Sequence, residues 1–325
     1  GAAATAKQAL IDDHNWTIAD GGIEYFESVW ATTANAETIT IPTQNIGTFN
    51  ALVDWGDGSS DSVTAYDGFT HVYATAGDHT IKITGSFPNI YFNDAGDKLK
   101  IKRVTQLGQV GWTTFKAAFR GCSNLTEFTV GSTDTSAVTN MALMFANCSG
   151  LTSLDLSSFD TSSVSTIEQM FFQCSSLTSL DVSSFDTSSA TNIRYMFYSC
   201  SGLTSIDVSS FDTSSVTTMY RMFSGCTGLT SLDVSSFDTS SVTAMNTMFA
   251  DCSGLTSLDV SSFDTSSVTN MNHTFQNCSS LTSLDLSSFD TSSVGTMNQM
   301  FPACSSLTSL DLSSFDTSSV VSMGI

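Results

Sequence analysis

Eight cysteines set the organisation of this sequence, because they follow one another at a constant spacing of 26 residues from Cys122 to Cys304. A fixed period of that size is typical of repeat proteins, in which stacked units bury a core that no unit could bury alone. The spacing predicts seven full units over 122–303 and a truncated eighth over 304–325. Because the array ends without a polar capping segment, we expect a monomeric fragment of a longer chain.

Each unit carries a strand pattern followed by a helix pattern. In the unit that opens at Cys148, Leu154 and Leu156 alternate with polar residues, which predicts one short strand that pairs in parallel with its neighbours. Asp160 is expected to cap a helical turn whose apolar stripe consists of Val164, Ile167, Met170 and Phe171. The predicted fold class is therefore α+β, a solenoid with one parallel strand and one short helix per 26-residue unit.

One motif, LTSLDLSSFDTSSV, recurs almost unchanged from the second unit to the eighth, and Met, Phe and Cys follow it at fixed positions in the complete units. This pattern resembles the BspA-like leucine-rich repeat of bacterial surface proteins over about 122–325. The resemblance implies a leucine-rich-repeat solenoid used for adhesion or ligand capture rather than catalysis. It also implies an extracellular or cell-surface location, on a bacterium or on a phage virion.

The residues before the repeats follow a different pattern. From residue 23 polar and apolar residues alternate, and segments such as 37–41, 49–53 and 80–84 predict an antiparallel β-sandwich over 23–95. Its WGDG and HVY motifs, at 55–58 and 71–73, resemble the PKD domain, an immunoglobulin-like fold that serves mostly as a spacer. Residues 1–22 are predicted to be a linker or a helix from a preceding module, and 96–121 a capping half-repeat.

The charge of the chain excludes one class of function. The formal net charge is −21, with 31 acidic against 10 basic residues, and 122–325 alone carries −16. Such a surface cannot neutralise a phosphate backbone, so we expect no nucleic-acid partner. No apolar run is long enough to span a bilayer, so we expect no membrane insertion.

The cysteines are expected to form a buried ladder of free thiols, because side chains in equivalent positions run parallel and cannot reach a disulfide dihedral angle. A disulfide or metal-binding framework is the alternative, although the sequence has no C-x-x-C pair. Without a catalytic or metal-ligand motif, we predict no enzyme activity, no catalytic residue, no metal ligand and no cofactor. Calcium stays an alternative at Asp54, Asp57 and Asp61, where a tight turn at 57–58 is the simpler interpretation.

The predicted strand face carries an acidic column made of Asp155 and its copies. Carboxylates at strand spacing repel one another, and a bound cation would relieve that repulsion. This column supports a second hypothesis, a structural spacer or a calcium-bridged surface element. A third hypothesis, ice or mineral binding, is disfavoured because charged aspartates hold liquid-like hydration. The simpler interpretation is that the charges keep the sheet soluble and apart from other sheets.

A second surface varies from unit to unit while the strand half hardly changes. Tyrosine and arginine, which are enriched at binding hot spots, concentrate there in units two to four. We therefore predict that this face holds a protein or glycan partner on a host or neighbouring cell surface; drift of unconstrained positions is the alternative. The predicted partner-binding residues are Phe172, Arg194, Tyr195, Tyr198, Tyr220, Arg221, Asn246 and His273.

Overall fold

The computed structural model describes residues 25–324, and within that range it contains ten β-strands and no helix. The predictions for 1–22 therefore lie outside the described residues. The strands are β1 Tyr25–Thr32, β2 Glu37–Thr40, β3 Asn50–Asp54, β4 Ser60–Val63, β5 Thr70–Tyr73, β6 Gly77–Ser86, β7 Ile101–Gln106, β8 Glu127–Phe128, β9 Ser153–Asp155 and β10 Ser179–Asp181.

The strands predicted from alternation before the repeats are confirmed as β2, β3 and β6. In β3, Ala51 and Val53 are buried while their neighbours are exposed, as a half-buried strand requires. Strands β4, β3, β6 and β1 lie side by side in antiparallel pairs, and β2 pairs with β5 in a separate two-stranded sheet. The core between them includes Trp30 and Trp55, both fully buried.

Strand β7 joins this N-terminal part to the repeats. It pairs antiparallel with β1 on one side and parallel with β8, the strand of the first unit, on the other. The six-stranded sheet therefore runs in the order β4-β3-β6-β1-β7-β8. One continuous hydrophobic core follows the same path, from Phe26 to Met300.

The predicted helix in each unit is wrong, and with it the α+β fold class. The second half of each unit is a series of turns in which every fourth residue has a positive φ, for example 58° at Gln169 and 57° at Gln173. A residue in that left-handed region cannot continue an α-helix. The amides also bond differently: Phe171 N donates to Met196 O of the next unit at 3.0 Å, instead of to the residue four positions earlier.

The apolar stripe nevertheless faces the core as predicted. Val164, Ile167, Met170 and Phe171 are all at most 2% exposed. Turns of three to four residues return the same side chains to the inside as a helix does, so the periodicity predicts burial without fixing the backbone conformation. The predicted strand forms in fewer units than expected: among the described residues of the repeats, β-strands occur in units one to three, as β8, β9 and β10.

A buried threonine column, which the sequence analysis missed, ties each unit to the next. The Thr161 hydroxyl donates to the Asp186 carbonyl at 3.1 Å and accepts from the Asp186 amide at 2.7 Å. The same donation recurs from six other buried threonines to the aspartate of the next unit, and these are Thr135, Thr187, Thr213, Thr239, Thr265 and Thr291. Each hydroxyl thus satisfies backbone groups where the chain turns, which explains why the motif has threonine there.

A stack of phenylalanine rings runs through the core of the solenoid. Consecutive rings from Phe119 to Phe301 lie 5.4–6.1 Å apart, and their planes are within 14° of parallel. Each ring therefore packs on its counterpart in the neighbouring units, at a separation favourable for offset stacking. The stack makes the burial of one unit depend on the units beside it.

Replacing Thr161 by valine tests the threonine column. We expect Thr161→Val to lower the free energy of unfolding by about 1–3 kcal/mol, because the amide and carbonyl of Asp186 lose their partner in a part-buried position. Thr178→Val is the matched control, since the Thr178 hydroxyl is exposed and water can replace its bond to Thr152 O. Chemical denaturation of both variants makes the comparison. Equal effects would contradict a structural role for the buried column.

Replacing a left-handed threonine by glycine tests the turn conformation. Thr247 has φ 62°, which is costly for a β-branched residue. We therefore expect Thr247→Gly to raise the free energy of unfolding by about 1 kcal/mol. Thr243→Gly in the same unit should lower it, because Thr243 lies outside the left-handed region and donates to Thr217 O. Destabilisation by both changes, measured by thermal unfolding, would show that Thr247 is not strained.

Candidate binding surface

Five of the predicted partner-binding residues meet in one group on the turn face of units two to four. This aromatic–arginine cluster consists of Phe172, Tyr195, Tyr198, Tyr220 and Arg221. Phe172 stacks on Tyr198 with centroids 4.9 Å apart, and Tyr195 meets Tyr198 and Tyr220 edge-on at 5.6 and 4.9 Å. All five side chains are half-buried. The cluster is therefore a packed platform rather than a set of separate surface side chains.

Arg221 lies at the centre of this platform. Its guanidinium carbon is 5.9, 5.8 and 5.2 Å from the ring centroids of Tyr195, Tyr198 and Tyr220, within the range of cation–π attraction. Its Nε atom is buried, and no described residue accepts a hydrogen bond from it. Within residues 25–324, no carboxylate oxygen lies within 4.0 Å of its guanidinium nitrogens. Arg221 is thus a charged group held in place by aromatic rings but not neutralised by an acid.

The local backbone explains how the cluster forms. Tyr195 and Arg221 occupy the same left-handed position in adjacent units, with φ 57° and 55°. Tyr195 N donates to Tyr220 O of the next unit at 2.9 Å, which brings the two tyrosines side by side. Partial burial is the main cause that raises the pKa of the Tyr195 hydroxyl, and the hydrogen bond with Tyr220 adds to it. That hydroxyl therefore remains a hydrogen-bond donor at neutral pH.

The other three predicted residues do not join the cluster contacts. Arg194 is paired instead with Glu168, whose Oε2 is 2.8 Å from the Arg194 Nε. The Asn246 backbone carbonyl accepts a hydrogen bond from the Arg221 amide at 3.4 Å. His273 Nδ1 lies 2.6 Å from Gln276 Oε1, within its own unit. The side-chain contacts among the predicted residues therefore lie in units two to four, while the role of all eight in binding stays a prediction.

A shallow polar groove adjoins the cluster along the chain, and the sequence analysis missed it. The groove has a volume of about 600 Å³. Its lining comes from the positions immediately before and after successive cysteines, and consists of Asn147, Ser149, Gln173, Ser175, Ser199, Ser201, Gly225, Thr227 and Asp251. Gln173 N donates to Tyr198 O at 2.7 Å, so the groove and the cluster share backbone. The sequence feature that could have indicated this groove is a polar residue or glycine on both sides of consecutive cysteines.

A family described as Mycoplasma protein of unknown function, DUF285, matches residues 113–228, 203–258 and 253–324. The chain belongs to this family. DUF285 falls within the BspA-like leucine-rich-repeat group of surface proteins, which confirms that part of the resemblance. The matches begin after β7, so they leave the N-terminal sandwich untested. No curated protein and no solved structure matches the chain.

The acidic columns of this DUF285 chain serve turns. Asp155 Oδ1 accepts from the amide and hydroxyl of Ser157 at 3.0 and 2.6 Å, and Asp160 does the same with Ser162. These serine hydroxyls, and then the serine amides, lower the pKa of both carboxyl groups. Asp160 therefore closes a turn and not the predicted helix. Across 25–324 no group of three or more His, Cys, Asp or Glu side chains could hold a metal ion.

The three aspartates considered for calcium also have separate partners. Asp54 accepts from the Gly56 amide at 3.0 Å, and Asp61 from the Trp55 indole at 2.8 Å. Asp57 pairs with His71 at 2.8 Å, and the hydrogen bonds from Ser59 and His71 lower its pKa to about 2. The three aspartates lie in or beside the five-residue loop 55–59, which joins β3 to β4 in an antiparallel hairpin and is longer than the predicted tight turn at 57–58. The described residues also include no helix with the length and apolarity needed to cross a membrane.

The cysteines form the predicted ladder of free thiols. Each thiol from Cys148 onward donates to the carbonyl of the phenylalanine 29 positions earlier, as from Cys174 to Phe145 at 3.0 Å. Burial raises the pKa of Cys174 and Cys226 to about 12, so these thiols stay protonated. Only Cys304 among the eight is partly accessible.

Thiol titration tests the ladder. We expect eight reactive thiols after denaturation without a reducing agent, and at most one, Cys304, reacting quickly in the folded chain. The physical reason is that burial suppresses both access and thiolate formation. Cys304→Ser should remove the fast native reaction and leave the others unchanged. Fewer than seven thiols in the denatured chain would mean that disulfides form.

Proposed function

We propose that the chain is a non-catalytic binding module that displays the aromatic–arginine cluster to a protein or glycan partner. The observation that carries this proposal is Arg221, a guanidinium packed on three tyrosine rings and not paired with a carboxylate among the described residues. Arginine and tyrosine are the residues that most often dominate binding energy. A stiff solenoid would hold them ready for a partner at low entropic cost.

The residue types at the two left-handed positions of each unit support a role in binding. The column before each cysteine includes Gly225, Asn277 and Asp251, residue types that tolerate positive φ. The column that contains Tyr195 and Arg221 has φ between 46° and 62°, yet it includes no glycine, asparagine or aspartate from units one to seven. Backbone preference does not explain bulky side chains there. We attribute them instead to selection for what those side chains contact.

Among the described residues, Ser59, His71 and Asp57 meet in an arrangement that does not suit a catalytic triad. Ser59 Oγ and Asp57 Oδ2 both approach the same His71 nitrogen, Nε2, at 3.4 and 2.8 Å. In a catalytic triad the serine and the aspartate use opposite nitrogens of the ring, so that the proton can be relayed. This arrangement stabilises a turn.

We further propose that the N-terminal sandwich is a PKD-like spacer and that the chain works at a bacterial or virion surface. The two motifs behind the PKD resemblance pack together: the Trp55 and His71 rings stack at 5.0 Å, and the Tyr73 hydroxyl donates to Trp55 O at 2.7 Å. The shared strand β7 would transmit this rigidity to the repeats. Membership in a surface-protein family supports the location.

An array of purified glycans and extracellular proteins tests the proposed function. We expect saturable binding to at least one class, and a loss of more than about tenfold in affinity for the variant R194A/Y195A/Y220A/R221A. The matched control changes the equivalent positions of units five and six, N246A/T247A/N272A/H273A, and should bind normally. Thermal unfolding verifies that both variants fold. Saturable binding that is equal in both variants and the parent chain would contradict the assignment of the site.

A further inference from the structure

Arg221 is an unusual group in this part of the molecule. Residues 122–325 contain 18 acids and two bases, and the other base, Arg194, is already paired with Glu168. A planar guanidinium recognises a carboxylate through two parallel hydrogen bonds, and an isolated one has that capacity unused. Its Nε is buried and out of a ligand's reach, so a ligand carboxylate would bond the two terminal nitrogens, which share no ion pair among the described residues.

The polar groove points to the class of ligand. Eight of its nine lining residues are serine, threonine, asparagine, glutamine or glycine, and the ninth is Asp251. Hydroxyl and amide groups both donate and accept hydrogen bonds, which suits ligands with many hydroxyls. No apolar or aromatic side chain lines the groove, whereas protein partners usually anchor a buried apolar or aromatic side chain. Its five units span roughly 19 Å at the usual strand spacing, long enough for several sugar rings.

Resting on the proposed function, we propose that this surface binds a glycan that carries a single acidic sugar, with the sugar carboxylate on Arg221 and the neutral sugars along the polar groove. The rings of the cluster then pack against the C–H face of the acidic sugar. A polyanionic glycan is unsuited, because one guanidinium cannot offset repulsion from a surface with a net charge of −16. The shared chemistry is a carboxylated pyranose, which sialylated and uronic-acid glycans both supply.

Calorimetric titration with four defined oligosaccharides tests this inference. Each acidic probe carries one carboxylate: sialyllactose, and the trisaccharide GlcNAc-GlcA-GlcNAc of the hyaluronan repeat. Their neutral counterparts are lactose and the chitin trisaccharide. We expect at least one acidic probe to bind about tenfold more tightly than its neutral counterpart at low salt, and the difference to shrink as salt rises. Whichever acidic probe prevails identifies the source of the carboxylate.

Three variants assign the binding to the surface. Arg221→Gln should abolish the preference for the acidic probe, and Arg221→Lys should weaken it several-fold, because lysine keeps the charge without the planar fork. Lys116→Gln is the matched control and should preserve the preference, since Lys116 is an exposed base at the position equivalent to Arg194, three units earlier, outside the cluster and the groove. Gln173→Ala in the groove should weaken the acidic and neutral probes of a pair alike.

The outcomes separate this inference from the proposed function. Equal binding of acidic and neutral probes, or a preference that survives Arg221→Gln, overturns the carboxylate assignment. Binding of neither acidic probe overturns the glycan class, while the proposed function stands if a protein on the array still depends on the cluster. If no array component depends on the cluster, the proposed function itself fails.

Discussion

The backbone hydrogen bond between units is the interaction on which the rest of the solenoid depends. Alternate amides in each turn segment donate to the carbonyl 25 positions along the chain, as in Leu143 to Glu168 and Phe145 to Met170. Because these bonds fix the spacing, equivalent side chains of neighbouring units meet. The phenylalanine rings stack on one another, each cysteine thiol donates to a phenylalanine carbonyl 29 positions earlier, and each buried threonine hydroxyl bonds the aspartate backbone of the next unit. No unit can satisfy its own backbone, so stability resides in the contacts between neighbours.

The same bonds place the candidate site. Positive φ at every fourth turn residue directs Tyr195 and Arg221 outward from adjacent units, and the spacing between units sets the distance between their side chains. The tyrosine rings then hold the guanidinium without neutralising it. A rigid scaffold with its charged group already oriented loses little entropy on binding, which favours recognition of a small, specific chemical group.

Sequence periodicity could predict much of this architecture. It predicted the boundaries of the units, the burial of Val164 and Phe171 and the free thiols, and comparison of the units pointed to the positions of Tyr195 and Arg221. It could not distinguish a helix from consecutive turns, because both return every third or fourth residue to the core. The left-handed positions gave no signal either, since they include Gln169 and Tyr195, residue types with no preference for positive φ. The threonine column and the polar groove could not be predicted from one unit, because each is formed by residues of neighbouring units that come together only in the folded chain.

The central claim is that the turn half of each unit is bonded to its neighbour and is not a helix. The most direct measurement is the NMR scalar coupling across hydrogen bonds, recorded on the deuterated, isotope-labelled chain. The structure predicts a coupling between the amide nitrogen of Phe171 and the carbonyl carbon of Met196, and another between Phe145 and Met170. A coupling from the Phe171 amide to the carbonyl of Ile167, four residues earlier, would instead demonstrate a helix and contradict this account.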